Sequence, residues 1–329
     1  MLMRVVIVNA SCPDFFRLRV RGHHEAATAI YQKGNVMLTL ALTGGIGSGK
    51  STLSRAFSRC GAHICDLDLV VRRLMEPGTP LFGRIASQWP GTIREGRIDR
   101  AGLASIVFAD SRERERLNFL THTAVWEEVD RELAELSSRG EIEVAIVDFA
   151  LLPRSSREFY YHANIVVSAE VDIRRMRLRG RGMESADIER RLASQVNAEE
   201  MLCFADIQVD NSGSIEDLQK CAVTLWHEWV LPFAHNLGGG SRIGVCSPPG
   251  VEACKRIVRR LEAHGCEGVF DDDGRLRVFL AEGSESGGVT VNPDVRLAEA
   301  LTRAGYVYAR GAWRSARPDY FLEVLPVER

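Results

Sequence analysis

Short apolar runs recur through the first two-thirds of the chain, separated by stretches with helical spacing. Leu38-Thr39-Leu40-Ala41-Leu42-Thr43 is one such run, followed by His63-Ile64-Cys65, Val144–Asp148 and Asn164–Ser168, with a shorter one at Val209-Asp210. Continuous apolar, β-branched segments of this length read as strands buried on both faces. Between the first two, Lys50 to about Cys60 has the pattern of an amphipathic helix that Gly61-Ala62 ends. Leu69 to Met75 reads as another helix, and from Glu76 to roughly Gly140 the period is again helical: Leu81-Ile85, Leu103-Ile106-Val107, Leu117-Leu120 and Val125-Val129-Leu133-Leu136. Turns are expected at Pro77-Gly78-Thr79-Pro80 and Arg94-Glu95-Gly96-Arg97. The alternation predicts an α/β fold, a parallel sheet flanked by helices, with a mostly helical insertion over about 76–140.

After the strand and turn at Val209–Ser214, a helix is expected from Ile215 to about Val230, with Trp226, Trp229, Leu231, Pro232 and Phe233 at its end. Gly238-Gly239-Gly240-Ser241 has the composition of a flexible linker. Residues 241–329 then predict a small α+β domain. Its elements are a strand at Ile243-Gly244-Val245, a helix over Val251–His264, a hairpin of Gly268–Phe270 with Leu276–Leu280, a helix over Val295–Gly305, and strands near Tyr306–Tyr308 and Tyr320–Val324. The hairpin's Asp271-Asp272-Asp273-Gly274 is readable as a cation site, but an Asp-Gly turn between strands needs no metal and the loop lacks the wider calcium pattern. The body of the first domain is expected at 37–235. Residues 1–36 are read as an N-terminal extension or an upstream start-codon assignment, with Val5–Val8 as an edge strand and His23-His24-Glu25 as helix surface.

The chemistry begins where the first strong strand ends. Gly44, four intervening residues and then Gly49-Lys50-Ser51 satisfy G-x-x-x-x-G-K-[ST], the phosphate-binding P-loop pattern. Successive backbone N–H groups that curl around phosphate oxygens leave no room for Cβ atoms, and the helix that follows points its positive dipole end at the anion. Gly45, Ile46, Gly47, Ser48, Gly49, Lys50, Ser51 and Thr52 are therefore the candidate ATP contacts, with Lys50 reaching the β/γ-phosphates and the Ser51 hydroxyl helping to hold Mg²⁺. Asp148, at the end of an apolar strand, has the layout of the carboxylate that assists that serine. Asp66-Leu67-Asp68 emerges from the end of the second strand, where ligands border an open α/β sheet. These carboxylates act on a hydroxyl or a metal, or else cap the following helix; position alone leaves both readings open. Arg174, Arg175, Arg177, Arg179, Arg181, Arg190 and Arg191, with Gly180 and Gly182, lie in a segment suited to a helix–loop–helix lid over about 174–195 that would neutralise charge in phosphoryl transfer. An ordinary basic helix is the alternative, and the Arg112–Arg116 run is read as a solvated helix face.

Composition narrows the rest. A chain of 329 residues, 45% hydrophobic and 26% charged with net charge −2, is of ordinary globular type and has no global attraction to nucleic acid or membranes. No apolar run approaches the ~18–20 residues of a membrane span, and no cleavage pattern of a signal peptide follows Val5–Val8. Eight cysteines include no C-x-x-C pair, which disfavours zinc or dithiol chemistry and fits a reducing cytoplasm.

With these residues assembled, the stretch from 37 to about 230 resembles the dephospho-CoA kinase family. The resemblance is an ordered series: Leu42–Thr52, then Asp66-Leu67-Asp68, Glu76–Pro80, Gly96–Arg100, Val107–Asp110, Arg175 to Arg179, Arg191–Gln195, and Ala205-Asp206 leading to Asp210–Ser214. It implies transfer of the ATP γ-phosphoryl group to the ribose 3′-hydroxyl of dephospho-CoA. It also implies Asp68 as general base, Asp66 as a supporting or metal-shell residue, and Lys50, Arg175 and Arg179 as stabilisers of the transferring group. Asn211 falls where the family contacts adenine, and Asp66, His122 and Arg191 fall among its acceptor contacts. Three positions depart from the family pattern. Ala150-Leu151-Leu152-Pro153-Arg154 carries a basic residue where the family has an acidic one, His122 is followed by Thr123 rather than proline, and Arg179 by Gly180 rather than aspartate. A nucleoside or nucleotide kinase, and a nucleotide-binding regulator without catalysis, are the competing readings. A GTPase switch would need an Asn-Lys-x-Asp segment, which is absent.

Overall fold

The computed structural model describes residues 5–7, 36–150, 152, 155, 157–239, 249–270, 276–280, 293–309, 312–318 and 323–326. In chain order the elements are β1 Val5–Ile7, β2 Leu38–Gly44, α1 Lys50–Cys60, β3 His63–Asp66, α2 Leu67–Leu74, α3 Pro80–Gln88, β4 Ile93–Arg94, β5 Arg97–Ile98, α4 Arg100–Ala109 and α5 Ser111–Arg139. They continue with β6 Val144–Asp148, β7 Ala163–Ser168, α6 Val171–Gly180, α7 Ser185–Ala193, α8 Ala198–Leu202, β8 Ile207–Asp210, α9 Ile215–Leu225 and α10 Leu231–Gly239. The last are α11 Val251–Ala263, β9 Cys266–Phe270, β10 Leu276–Leu280, α12 Pro293–Arg303, β11 Tyr306–Ala309, β12 Ala312–Ser315 and β13 Glu323–Pro326. The chain forms two compact units, residues 1–64 with 140–329, and residues 65–139.

The first unit is built on a sheet of order β1-β8-β7-β2-β6-β3, to which β3 contributes His63 and Ile64 before the chain passes into the second unit. β2 pairs in parallel with β6, Leu42 opposite Asp148, and with β7, Gly44 opposite Val167; β7 in turn pairs in parallel with β8. Leu38, Leu40, Leu42, Ile146, Ile165 and Val167 are fully buried, as expected of strands covered on both faces. The apolar run near the start forms the expected edge strand, antiparallel to β8 over Val5–Ile7; His23 and His24 lie outside the described residues.

The glycines expected to form a linker do not all do so. The helix that starts at Ile215 passes through a π-helical turn at Trp226–Val230 and runs on to Gly239, past the boundary expected at 235. Phe233, Ala234 and Leu237 continue its buried face, and the widened turn precedes Pro232, which has no N–H for the helical ladder.

Beyond it, β9 to β13 form a second sheet of order β11-β12-β13-β10-β9. The expected hairpin is present, with Phe270 opposite Leu276; Asp271–Gly274, Ile243–Val245 and Tyr320–Leu322 lie outside the described residues. β12 was not anticipated, because among its residues only Trp313 carries a strong strand signal. Ile257, Leu261, Leu276, Val278, Leu301 and Trp313 form this sheet's own core, yet Val307 and Ala316 belong to the core of the first sheet. Residues expected as a separate domain are therefore packed into the same compact unit as the P-loop strand.

That packing is centred on a buried ion cluster. Asp206, just before β8, accepts hydrogen bonds from Arg260 Nη2 at 2.6 Å, Arg317 Nη1 at 2.7 Å, Arg256 Nε at 3.3 Å and the Asn164 N–H at 2.9 Å. Burial would raise its carboxyl pKa, but the guanidiniums of Arg260, Arg317 and Arg256 hold it well below the ordinary carboxylate range. Arg260 Nε also donates to the Tyr161 carbonyl at 2.7 Å, and Asn236 Nδ2 to that of Ala316 at 3.0 Å. His162 is buried and His264 half-buried in this region. Burial is the main reason their pKa values fall, to about 4 and about 3.

The second unit, residues 65–139, holds α2 to α5 and the two-stranded β4–β5 ribbon, and so takes in α2 ahead of the helical stretch expected from about 76. Leu81, Ile85, Trp89 and Leu103 are its buried centre. Local capping sets its helices: Thr79 Oγ1 accepts from the Phe82 N–H with Pro80 at the first helical position, and Asp99 accepts from the Gly102 N–H. The arginines of the Arg112–Arg116 run are exposed.

Candidate active site

β2 is buried at every position but Thr39 and ends at Gly44, which leaves the following loop at the C-terminal edge of the sheet. Gly47 and Gly49 have φ values of +78° and +99°, the left-handed region in which glycine carries no Cβ penalty. Gly49 is the N-cap of α1, so the loop and the first turn of the helix present successive backbone N–H groups. Asp148, at the end of β6, is 5% exposed and ion-paired with Lys50 Nζ. Ser51 is exposed at the start of α1. Lys50 and Asp148 thus meet beside the loop, and Ser51 follows at the start of α1.

The loop is held from outside through its carbonyls. Ile46 C=O accepts from Arg174 Nε at 2.8 Å, Gly47 C=O from Arg177 Nη1 at 3.5 Å, and Ser48 C=O from Asn211 Nδ2 at 2.7 Å. The Ile46 N–H donates to Gln195 Oε1 at 3.2 Å. Burial lowers the pKa of Arg174, and burial with the nearby Arg181 charge lowers that of Arg177. Asn211 is 3% exposed; its Nδ2 is held on the loop backbone, its buried Oδ1 has no hydrogen-bond partner among the described residues, and a Cβ on Gly49 would collide with its amide.

The other candidates are placed as follows. Arg175 makes a bidentate pair with Glu189, at 2.7 and 2.8 Å, and a bond to Asp172 at 2.9 Å. Arg179 is exposed, and Arg191 bonds Asp187 at 2.9 Å. The arginines that touch the loop are instead Arg174 and Arg177. The sequence places them in the lid without separating them from their neighbours, and it offers no sign that Gln195 meets Ile46. In the second unit, Asp66 takes the capping role: its Oδ1 accepts from the N–H groups of Asp68 and Leu69, at 2.9 and 3.3 Å. Asp68 is exposed, and its carboxylate makes no hydrogen bond or ion pair among the described residues. His122 is exposed on α5.

A parallel sheet whose central strand ends in this loop, with lysine, serine and a neighbouring strand-end aspartate, defines a P-loop nucleotide-using phosphotransferase. The family model described as dephospho-CoA kinase matches residues 38–217. The dephospho-CoA kinase of Mycobacterium tuberculosis (strain ATCC 25618 / H37Rv) is 36% identical over 289 residues, covering 82% of this chain and 70% of that protein. That of Corynebacterium glutamicum is 40% identical over 186 residues, covering 56% of this chain and 95% of that one. Among solved structures, TT1252 from Thermus thermophilus superposes with a TM-score of 0.52 at 28% identity, covering 58% of this chain and 97% of that one. The chain belongs to the dephospho-CoA kinase family. The mycobacterial likeness covers 82% of the chain and so runs past residue 217, where the family match ends.

Proposed function

We propose that this chain transfers the γ-phosphoryl group of ATP to the ribose 3′-hydroxyl of dephospho-CoA, giving CoA and ADP, the last step of CoA synthesis. The observation that carries this reading is the ion pair of Lys50 with buried Asp148 beside a left-handed glycine loop, inside the segment the family match spans. Gly45 to Thr52 form the phosphate cradle through the N–H groups that Gln195 and the bonds to the Gly45 and Gly49 carbonyls leave free, and Lys50 turns from Asp148 to the β/γ-phosphates. Ser51 and Asp148 are the residues that would hold Mg²⁺. One hydroxyl and one carboxylate fit an ion that keeps waters and takes its remaining ligands from phosphate, and no group of three or more acidic, histidine or cysteine side chains gathers elsewhere among the described residues. The ion would supply neutralisation of the charge on the phosphates.

Asp68 is the general base that takes the hydroxyl proton. Its exposed carboxylate is uncommitted, whereas Asp66 is engaged as a cap and supports the turn that presents Asp68. Arg175 and Arg179 stabilise the transferring group; Arg175 must first leave Glu189 and Asp172, so lid closure and exchange of ion partners accompany one another. His122 and Arg191 bind the acceptor. Asn211 serves ATP through the loop it supports, its Nδ2 being held on the Ser48 carbonyl. A cytoplasmic location suits the cysteines: all six described ones are thiols.

The test is ADP formation by the purified full chain with Mg-ATP and dephospho-CoA, adenosine or AMP. Turnover with dephospho-CoA alone is expected. Turnover only with adenosine or AMP would establish the nucleoside or nucleotide kinase reading instead, and ATP binding without any turnover would establish a regulator. Asp68→Asn should lower kcat at least a hundredfold with ATP binding kept, and a variant of full rate would remove Asp68 from the mechanism.

A further inference from the structure

The arginine-rich lid is fastened to the P-loop at both of its roots. Arg174 lies in the first turn of α6, and Gln195 lies two residues past the end of α7. Both reach Ile46: Arg174 Nε donates to its carbonyl at 2.8 Å, and its N–H donates to Gln195 Oε1 at 3.2 Å. Arg174 Nη2 also donates to Gln195 Oε1, which closes a ring of three hydrogen bonds around one loop residue. Gly45 makes the approach possible. A Cβ there would stand 2.6 Å from Arg174 Nη2 and 2.9 Å from Gln195 Oε1. The lid tip, Arg179 to Gly182, is exposed by contrast.

We propose that Arg174 and Gln195 are positioning residues that set the orientation of the Ile46 peptide groups, and with them the aim of the loop's remaining N–H donors at the triphosphate. The proposal rests on the loop being the ATP site. Its chemistry is specific to these side chains. The glutamine oxygen must accept two hydrogen bonds at once, from a backbone N–H and a guanidinium, and the guanidinium must reach a carbonyl and that oxygen together. A lysine in place of Arg174 offers a point donor rather than a fork. A carboxylate in place of Gln195 keeps both acceptor bonds and strengthens the one to Arg174.

The test compares Gln195→Leu, Gln195→Glu, Arg174→Ala, Arg174→Lys and the double Arg174→Ala/Gln195→Leu as full chains. ATP affinity is read by calorimetry without acceptor, and KM for each substrate by ADP release. Loss of one hydrogen bond to an ordered loop should weaken ATP binding about tenfold in Gln195→Leu and Arg174→Ala. KM for dephospho-CoA should move less than about twofold, Gln195→Glu should stay within about threefold of the parent, and Arg174→Lys should fall between parent and alanine. The double variant should bind ATP no worse than the poorer single, because both act on one residue. Unchanged ATP affinity in Gln195→Leu, equal loss for both substrates, fully additive singles, or a Gln195→Glu as impaired as the leucine would each overturn the proposal. Should Gln195→Leu fail to fold, the ordering of Gln195→Glu and Arg174→Lys decides. A parent chain that binds ATP but leaves dephospho-CoA untouched would sink the function proposed above and leave the calorimetric comparison valid; a parent chain that binds no ATP would sink both.

Discussion

Replacing Asp206 by asparagine keeps its shape and an acceptor oxygen and removes its charge. In the parent, that carboxylate faces Arg256, Arg260 and Arg317, all of them 5% exposed or less, and is itself 3% exposed. Such pairs contribute modestly as a whole, since desolvation opposes the Coulombic gain. Breaking one by removing a single partner leaves buried charge behind, at about 3–5 kcal/mol. Against a total stability of about 5–15 kcal/mol this is a large share. Urea unfolding of the full chain at pH 7, followed by tryptophan fluorescence, is the assay. Trp229 is a fitting reporter because Arg317 lies 5.2 Å over its ring. With a slope of about 3 kcal/mol/M the midpoint should fall by about 1–1.7 M. Asp206→Ala should do at least as much damage, as it also takes the acceptor from the Asn164 N–H. A midpoint within about 0.2 M of the parent would show that the cluster does not hold the two sheets together, and the account of the C-terminal packing would fail.

Further outcomes follow from other features. Gly49→Ala should weaken ATP binding by about two orders of magnitude in calorimetry, since φ is +99° there and the new Cβ would meet Asn211; near-normal binding would refute the loop geometry. Stability should fall as pH drops from about 6.5 to about 4, because the unfolded chain protonates His162 in that window and the folded chain does not until about 4. The contribution is present in full above pH 6.5 and amounts to about 3 kcal/mol, so a flat urea midpoint over that range would contradict it. His264→Phe, beside Tyr160 at 5.3 Å between ring centres, should make that decline shallower. In native protein exposed Cys203 should react with a thiol reagent, whereas Cys65, pushed up to about 12 chiefly by burial, should react only after unfolding, as peptide mapping would report.

The P-loop sheet is largely legible in the sequence, for a local reason. β2, α1, β6 and β7 each carry their own signal in the form of apolar runs, turn glycines and strand-end carboxylates, and their bounds match the expectation within a residue or two. The features that escaped are those decided by distant groups. Arg174 and Arg175 are adjacent arginines on one helix, and nothing local says that the first turns to Ile46 while the second pairs with Glu189. The continuation of the helix past Pro232 depends on an inserted turn at Trp226–Val230 that no periodicity marks. A glycine run looked like a linker because the face that buries Phe233 and Leu237 is completed by other parts of the first unit. The role of Asp206 was hidden for the same reason: its guanidinium partners are 50, 54 and 111 residues further along the chain.

Those separations have a consequence in time. A chain made from its N-terminus at about 5–20 residues per second completes β8 well before it makes Arg317. For about 5–20 s after Asp206 is polymerised its last partner does not yet exist. During that interval the carboxylate must keep its water, so the end of the sheet that carries it cannot close fully. Vectorial synthesis therefore sets an order of events in which the nucleotide-binding sheet forms early but is sealed only once the segment that carries Arg317 has been made.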